Sequence, residues 1–312
     1  MDTTITGPGG TLNLSNSAAN LLVDQGRAAN GNGTQRAILD MSGLGTFVAK
    51  VNSISVGTTT VGGANNAQNA TGTLLLALTN TITALTGTPI TNGTSSTPTN
   101  SIEIGSDNGN AGGVDFLYLG QTNGFFIDSI GVGTMKATAT MLFNSGLINP
   151  TAYFRGTNGS GSRVRFWTIG DMSSSGSSSA NCSGTNDFTG GTVNALVDTM
   201  SLGRDRQGGN TGSSTTKGTL IFGAGTINVN NIFIGNQFFT AAANSNPMNG
   251  VVNVNGSGIL QVNTNLTLEM CIRDRVDTLP DHANRSLASH LQPYACLFDF
   301  LFQRRRYARP LV

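Results

Sequence analysis

The sequence predicts an all-β chain, a right-handed parallel β-helix (solenoid) of three-strand coils with long polar loops. Three observations point there. Charged residues make up only 11% of the 312, against roughly 25% in an ordinary soluble domain. Glycine is abundant, at 42 residues, and with Asn, Thr and Ser it separates short bursts of alternating apolar residues. Those bursts also recur in the C-terminal part of the chain at offsets of 32 to 34 residues.

The recurrence comes in three pieces. Lys217-Gly218-Thr219-Leu220-Ile221-Phe222 matches Asn249-Gly250-Val251-Val252-Asn253-Val254 at an offset of 32. Gly225-Thr226-Ile227-Asn228-Val229-Asn230 matches Gly258-Ile259-Leu260-Gln261-Val262-Asn263 at 33, and Ile232-Phe233-Ile234 matches Leu266-Thr267-Leu268 at 34. An earlier copy of the second and third pieces reads Gly191-Thr192-Val193-Asn194-Ala195 and Met200-Ser201-Leu202-Gly203. Period-2 alternation puts Leu220, Phe222, Ile227, Val229, Ile232 and Ile234 inward, with Thr226 and Asn228 outward. One coil cannot bury such a face alone, whereas stacked coils pair the backbone and share a core. Stacked amides such as Asn230 over Asn263 would form a ladder. A β-sandwich of short strands fits the composition equally well, but gives no reason for the unit length.

A strand end of the form apolar-x-apolar-Gly extends the register toward the N-terminus. It occurs at Ile54–Gly57, Ile102–Gly105, Leu117–Gly120, Trp167–Gly170, Met200–Gly203 and Ile232–Gly235. Glycine at these corners tolerates positive φ. The expected organisation is irregular repeats over 1–187, regular repeats over 188–269 and a separate tail over 270–312. That tail contains no glycine, both histidines (His282, His290), Cys271, Cys296 and the basic run Arg304-Arg305-Arg306 with Arg309. It begins Met-Cys-Ile-Arg-Asp-Arg, which resembles a translated sequencing-adaptor end. Residues 270–312 are therefore read as non-native, irregular or disordered, and set aside.

The pattern Gly-Thr-Leu-x-Phe, Gly-Thr-Ile-Asn-Val-Asn and Ile-x-Ile-Gly resembles the β-strand repeats of autotransporter-type surface and secreted bacterial proteins. The likeness is clearest over 188–268 and fainter over 10–187. It implies a secreted passenger stalk serving adhesion or surface display, located outside the cell or on its outer surface. No signal peptide or anchor accompanies the pattern, which suits a fragment of a longer chain.

Residue chemistry argues against catalysis. Residues 1–269 carry ten Lys/Arg and twelve Asp/Glu, too balanced for a nucleic-acid partner, which needs a concentrated basic field. They lack histidine entirely, removing His-dependent nucleophiles and His-ligated metals. Arg204-Asp205-Arg206, near Asp198, reads as a solvated loop. Arg163-Val164-Arg165-Phe166-Trp167 reads as a half-buried strand with its arginines out. Asp107-Asn108-Gly109-Asn110, with Asp115 beyond it, is too thin a ligand set for calcium, and Cys271, His282, His290 and Cys296 lack zinc spacing. Cys182 is expected to be an incidental loop thiol, and no apolar run is long enough to span a membrane as a helix. No catalytic, cofactor or metal residue is assigned and no cofactor is expected. The expected function is a non-catalytic stalk or adhesin-like passenger, contacting surface glycans or neighbouring stalks through loops 57–72, 105–113, 171–187, 204–217 and 236–249. End-to-end self-association is expected at the strand edge near Leu268. The alternative is a fragment of a β-helical polysaccharide lyase or hydrolase.

Overall fold

A computed structural model describes residues 2–23, 35–58, 70–85, 100–107, 113–172, 181–205, 215–236 and 248–268. The chain divides into two units, Met1–Cys271 and Ile272–Val312, and the second lies outside the described residues. Among the described residues the fold is all-β, with nineteen strands and no helix.

The strands fall into eight successive levels. The first level is β1 (Asp2–Thr4) and β2 (Gly7–Val23). The second is β3 (Gln35–Asp40) and β4 (Leu44–Thr58), and the third is β5 (Ala70–Leu75), β6 (Thr79–Ala84) and β7 (Ile102–Asp107). Then come β8 (Val114–Leu119), β9 (Thr122–Ile127) and β10 (Ser129–Met135), followed by β11 (Thr138–Phe143), β12 (Thr151–Arg155) and β13 (Val164–Met172). The last three levels are β14 (Cys182–Phe188) with β15 (Thr192–Asp205), β16 (Thr216–Phe222) with β17 (Gly225–Ile234), and β18 (Met248–Val254) with β19 (Ile259–Leu268).

Every described pairing is parallel and joins neighbouring levels. One sheet stacks eight strands in the order β1-β3-β5-β8-β11-β14-β16-β18. The second, of eleven strands, is two stacks run together, because its long strands pass through both. In β4, residues 46–51 pair with β6 and residues 54–58 pair with β7. In β15, residues 192–195 pair with β12, and the remainder from Val197 pairs with β13. Each level thus gives one strand to the first sheet and two strand segments to the second.

The three sequence offsets are the pairing register. Lys217 lies opposite Asn249, Thr226 opposite Ile259, and Ile232 opposite Leu266, with a register shift between Val229 and Asn231 absorbing the extra residue. One level earlier, Val193 pairs with Gly225 and Ala195 with Ile227. That is two residues away from matching Gly191-Thr192 to Gly225-Thr226. An even slip preserves the inward face.

The core follows from alternation. Leu220, Phe222, Ile227, Val229 and Ile232 are fully buried, and Ile234 packs against them half-buried. In the middle levels the core is aromatic: Phe125 stacks on Phe154 at 4.8 Å, and Trp167 lies 4.6 Å from Phe154 and edge-on to Phe188 at 6.3 Å. A buried indole needs a hydrogen-bond acceptor. With its carbonyl oxygen turned to the ring, the inward-facing Asn186 accepts from Trp167 Nε1 at 2.7 Å. Phe166 stays half-buried outside this core, contrary to the alternation from Arg163, and Trp167 takes the inward place.

Two glycine columns meet where the second sheet closes on the first. Gly57, Gly105, Gly133, Gly170, Gly203 and Gly235 end their apolar-x-apolar runs, all with φ between 61° and 66°, where a side chain would be strained. Opposite them lie Gly72, Gly184, Gly218 and Gly250, which are glycine for want of space. A Cβ on Gly218 would sit 2.1 Å from the Ile169 carbonyl oxygen and 2.3 Å from the Gly203 nitrogen. This close approach accounts for the second residue of Lys-Gly-Thr-Leu and Asn-Gly-Val-Val. Leu117–Gly120 does not belong to the row: it lies in and just after β8, in the first sheet. Its place is taken by Ile130-Gly131-Val132-Gly133, with Ile130 paired to Ile102 and to Trp167.

Candidate functional site

Directly beyond each positive-φ glycine stands a polar residue, and register aligns them across levels. Thr58 pairs with Ser106, Ser106 with Thr134, Thr134 with Asp171, and Asp171 with Arg204. All five are buried. A neighbouring row, two residues before the glycines, runs Glu103, Gly131, Thr168, Ser201. Glu103, Thr168 and Ser201 are likewise buried.

Two ionisable clusters lie in these rows. The Glu103 side chain, only 4% exposed, accepts from Asn100 Nδ2 at 2.5 Å on Oε2 and from Thr134 Oγ1 on Oε1. Burial pushes its carboxyl from the ordinary 4.5 up to about 7, and the negative charge of Asp171 adds to the rise. The bonds from Thr134 and Asn100 oppose it by favouring the carboxylate. One level on, Arg204 donates to both Asp171 oxygens, from Nε to Oδ1 at 3.0 Å and from Nη2 to Oδ2 at 2.5 Å. The forked geometry suits an Arg–carboxylate pair, and both side chains are sealed. Gly131 makes room for the first cluster, since a Cβ there would lie 2.4 Å from Asn100 Nδ2 and 2.9 Å from Glu103 Oε1.

Several sequence expectations change here. Arg204 and Asp205 are buried at the end of β15 rather than solvated in a loop, because the strand continues past the corner glycine; Arg206 lies outside the described residues. Cys182 is not a loop thiol: it begins β14, is buried, and donates from Sγ to the Gly133 carbonyl at 3.1 Å. Asp115 is fully buried between the glycine columns, accepting from the Gly72 backbone N–H at 2.7 Å. Glu103, Asn100 and Asp171 carry no recognisable motif in the sequence. The signal that could have found them is a polar residue set beside the recurring glycine.

The remaining candidates serve structure. Arg165 pairs with Asp128, and Arg163 reaches two levels to the Asn228 carbonyl oxygen at 3.0 Å and its Oδ1 at 2.7 Å. The amide ladder is present: Asn263 donates to Asn230 Oδ1 at 2.9 Å, and Asn230 donates to Asp198 Oδ1 at 2.8 Å. Asp107 ends β7, while Asn108, Gly109 and Asn110 lie outside the described residues, as do Cys271, His282, His290, Cys296, Arg304–Arg306 and Arg309. Residues 59–69, 108–112, 173–180, 206–214 and 237–247 of the expected contact loops lie outside them too. Among the described residues no three His, Cys, Asp or Glu side chains converge for a metal, and no helix is long and apolar enough to cross a membrane. A shallow cavity of about 230 Å³ opens beside Leu142, Asn144 and Asp187, away from both clusters.

No protein-family model, curated protein or solved structure matches this chain.

Proposed function

We propose that the chain is part of a right-handed parallel β-solenoid that works as a non-catalytic stalk or adhesin-like passenger of a secreted or surface-displayed bacterial protein. The parallel stacking and the 32–34 residue register support the winding. One observation carries the non-catalytic reading: the ionisable groups gathered across levels, Glu103, Asp171 and Arg204, are sealed and bonded to one another or to neighbouring levels. They act as internal cross-links. Outward positions offer Thr, Asn and Ser, such as Thr140, Thr185 and Asn228, whose hydroxyls and amides suit surface glycans or a neighbouring stalk.

A second reading rests on the same residues. A carboxyl titrating near 7 beside an Asp–Arg pair is the equipment of a polysaccharide lyase or hydrolase, if substrate reaches it. Incubating the full chain with a panel of acidic and neutral polysaccharides separates the two. The stalk reading expects no new chain ends from any substrate. Cleavage that disappears in Glu103→Gln, in protein that still folds, establishes the enzyme instead.

A further inference from the structure

The outward side of the first sheet is built unlike the sealed row that carries Glu103. Alternation sends three residues of each strand outward there, and register lines them up as three columns. The centre of this face is apolar. Leu75, Tyr118 and Leu142 follow one another in the third column, and Phe116 stands beside Tyr118 in the middle one. The Phe116 and Tyr118 rings stack at 5.6 Å and 16°, and Val114 on the same strand is 47% exposed. Leu75, Phe116, Tyr118 and Leu142 are each half-buried. The core does not require this outward Val-x-Phe-x-Tyr, because Leu117 and Leu119 of the same strand already fill it. A contiguous apolar patch of this kind marks an interaction site.

Charge and area on this face select the partner. The first column carries the cations Arg36 and Lys217, and the third carries the anions Asp40 and Asp187. Arg36 also donates to Asp2 at 2.7 Å. A twofold axis along the stack lays the first column of one copy over the third column of another. Cations then meet anions, with Arg36 facing Asp40 at one level, and Phe116 meets Phe116 at the centre. A twofold axis along the strands instead lays each column on itself, cation against cation and anion against anion. Strands of six or seven residues at about 3.3 Å per residue make the face about 20 Å wide. The six strands from β3 to β16, at about 4.8 Å, extend it about 29 Å along the axis. Two such faces bury about 1,200 Å², the low end of a stable protein interface.

We infer that two copies of this chain pair face to face through the first sheet, side by side and pointing the same way. The contact is isologous, each copy offering the same patch, so it closes as a dimer. It rests on the stalk reading only in taking a neighbouring stalk as the partner. A chain that stays monomeric overturns the pairing and leaves the polysaccharide test of that reading as it stands.

Sedimentation velocity on the full chain tests the pairing. Wild type is expected as monomer and dimer, shifting to dimer as concentration rises and going no further. Tyr118→Lys, at the centre of the face, should raise the dissociation constant at least tenfold. Circular dichroism and thermal melting establish that the variant folds, and Val114→Lys stands in should Tyr118→Lys fail to do so. Thr83→Lys, outward on β6 in the second sheet, should leave association unchanged. Direction is read from spin labels at 121 or at 189, just beyond β8 and β14, with Cys182, Cys271 and Cys296 replaced by alanine. Copies pointing the same way give both labels one separation between copies. Opposed copies centred on Tyr118 would carry the 189 labels about 19 Å further apart along the axis, four steps of about 4.8 Å. Wild type that stays monomeric at all concentrations overturns the proposal. So do variants of this face that still pair like wild type, or unequal separations of the two labels.

Discussion

The middle levels, residues 114–172, and the last two, residues 216–268, have the same parallel pairing but opposite legibility. In the last two the core is mostly aliphatic, the segments of the second sheet fuse into single strands β17 and β19, and sequence offsets equal pairing offsets. In the middle, Phe125, Phe154 and Trp167 stack through the core, and residues 156–163 part β12 from β13. Asp115 also occupies a position that is Gly72, Gly184 or Gly218 in other levels. What the two regions share is columns rather than residues. The inward apolar row and the positive-φ glycine persist where everything between them changes.

The largest test of that contrast is Trp167→Ala. It removes the largest fully buried side chain and orphans the Asn186 amide, and should cost about 3–5 kcal/mol in chemical denaturation. Leu266→Ala in β19, where the side chain is 53% exposed, should cost under about 1 kcal/mol, since little burial is lost there. Equal losses would erase the distinction between a sealed middle level and the half-exposed β19.

Nearly as large is the effect of breaking the sealed ion pair. Arg204→Met alone removes the forked guanidinium from the buried Asp171 carboxylate and should cost about 3–5 kcal/mol. Adding Asp171→Leu should restore most of it, since an apolar pair of similar volume has no charge to desolvate. A double variant as unstable as the single one would mean that the pair itself, rather than the cost of an orphan, holds these levels together.

Glu103 gives a pH signature. Its folded pKa is raised from 4.5 to about 7, so the folded chain holds the proton more tightly than the unfolded chain. That stabilisation is full below pH 4.5 and is lost as pH rises through about 7, a change on the order of 3 kcal/mol. Denaturation midpoints across this window should fall for wild type and lose most of that slope in Glu103→Gln. A slope unchanged by the substitution would assign the dependence elsewhere. Smallest of all, Asn263→Ala removes exposed amide-ladder bonds to Asn228 and Asn230 and should cost about 0.5 kcal/mol.

How much could be read in advance follows the same division. The inward set of the last levels, the amide ladder and the corner glycines were legible, because alternation and a fixed glycine survive comparison between repeats. The Ile130–Gly133 strand end has the same apolar-x-apolar-Gly form, with Gly131 at the free position, but it lies in a segment with no polar residue to mark the alternation. All seven residues of β10 are buried, and a strand covered on both faces carries no polar-apolar alternation to find. The polar rows were illegible for a related reason. Charge in a sequence suggests solvent, and only the register shows Asp171 beside Arg204 and both sealed.

The account turns on three parallel stacks whose levels advance along one axis. Electron spin distances measure that advance directly, with labels at cysteines placed at 38, 73 and 251 in a chain whose Cys182, Cys271 and Cys296 are replaced by alanine. Ile38, Thr73, Phe116, Thr140, Thr185, Thr219 and Val251 form one column in register, half-buried at 38, 73 and 251 where the labels go. The pair 73/251 spans five steps and the pair 38/251 six, predicting separations of about 24 Å and about 29 Å. Equal separations, or a shorter distance for the 38/251 pair, would contradict stacking along one axis.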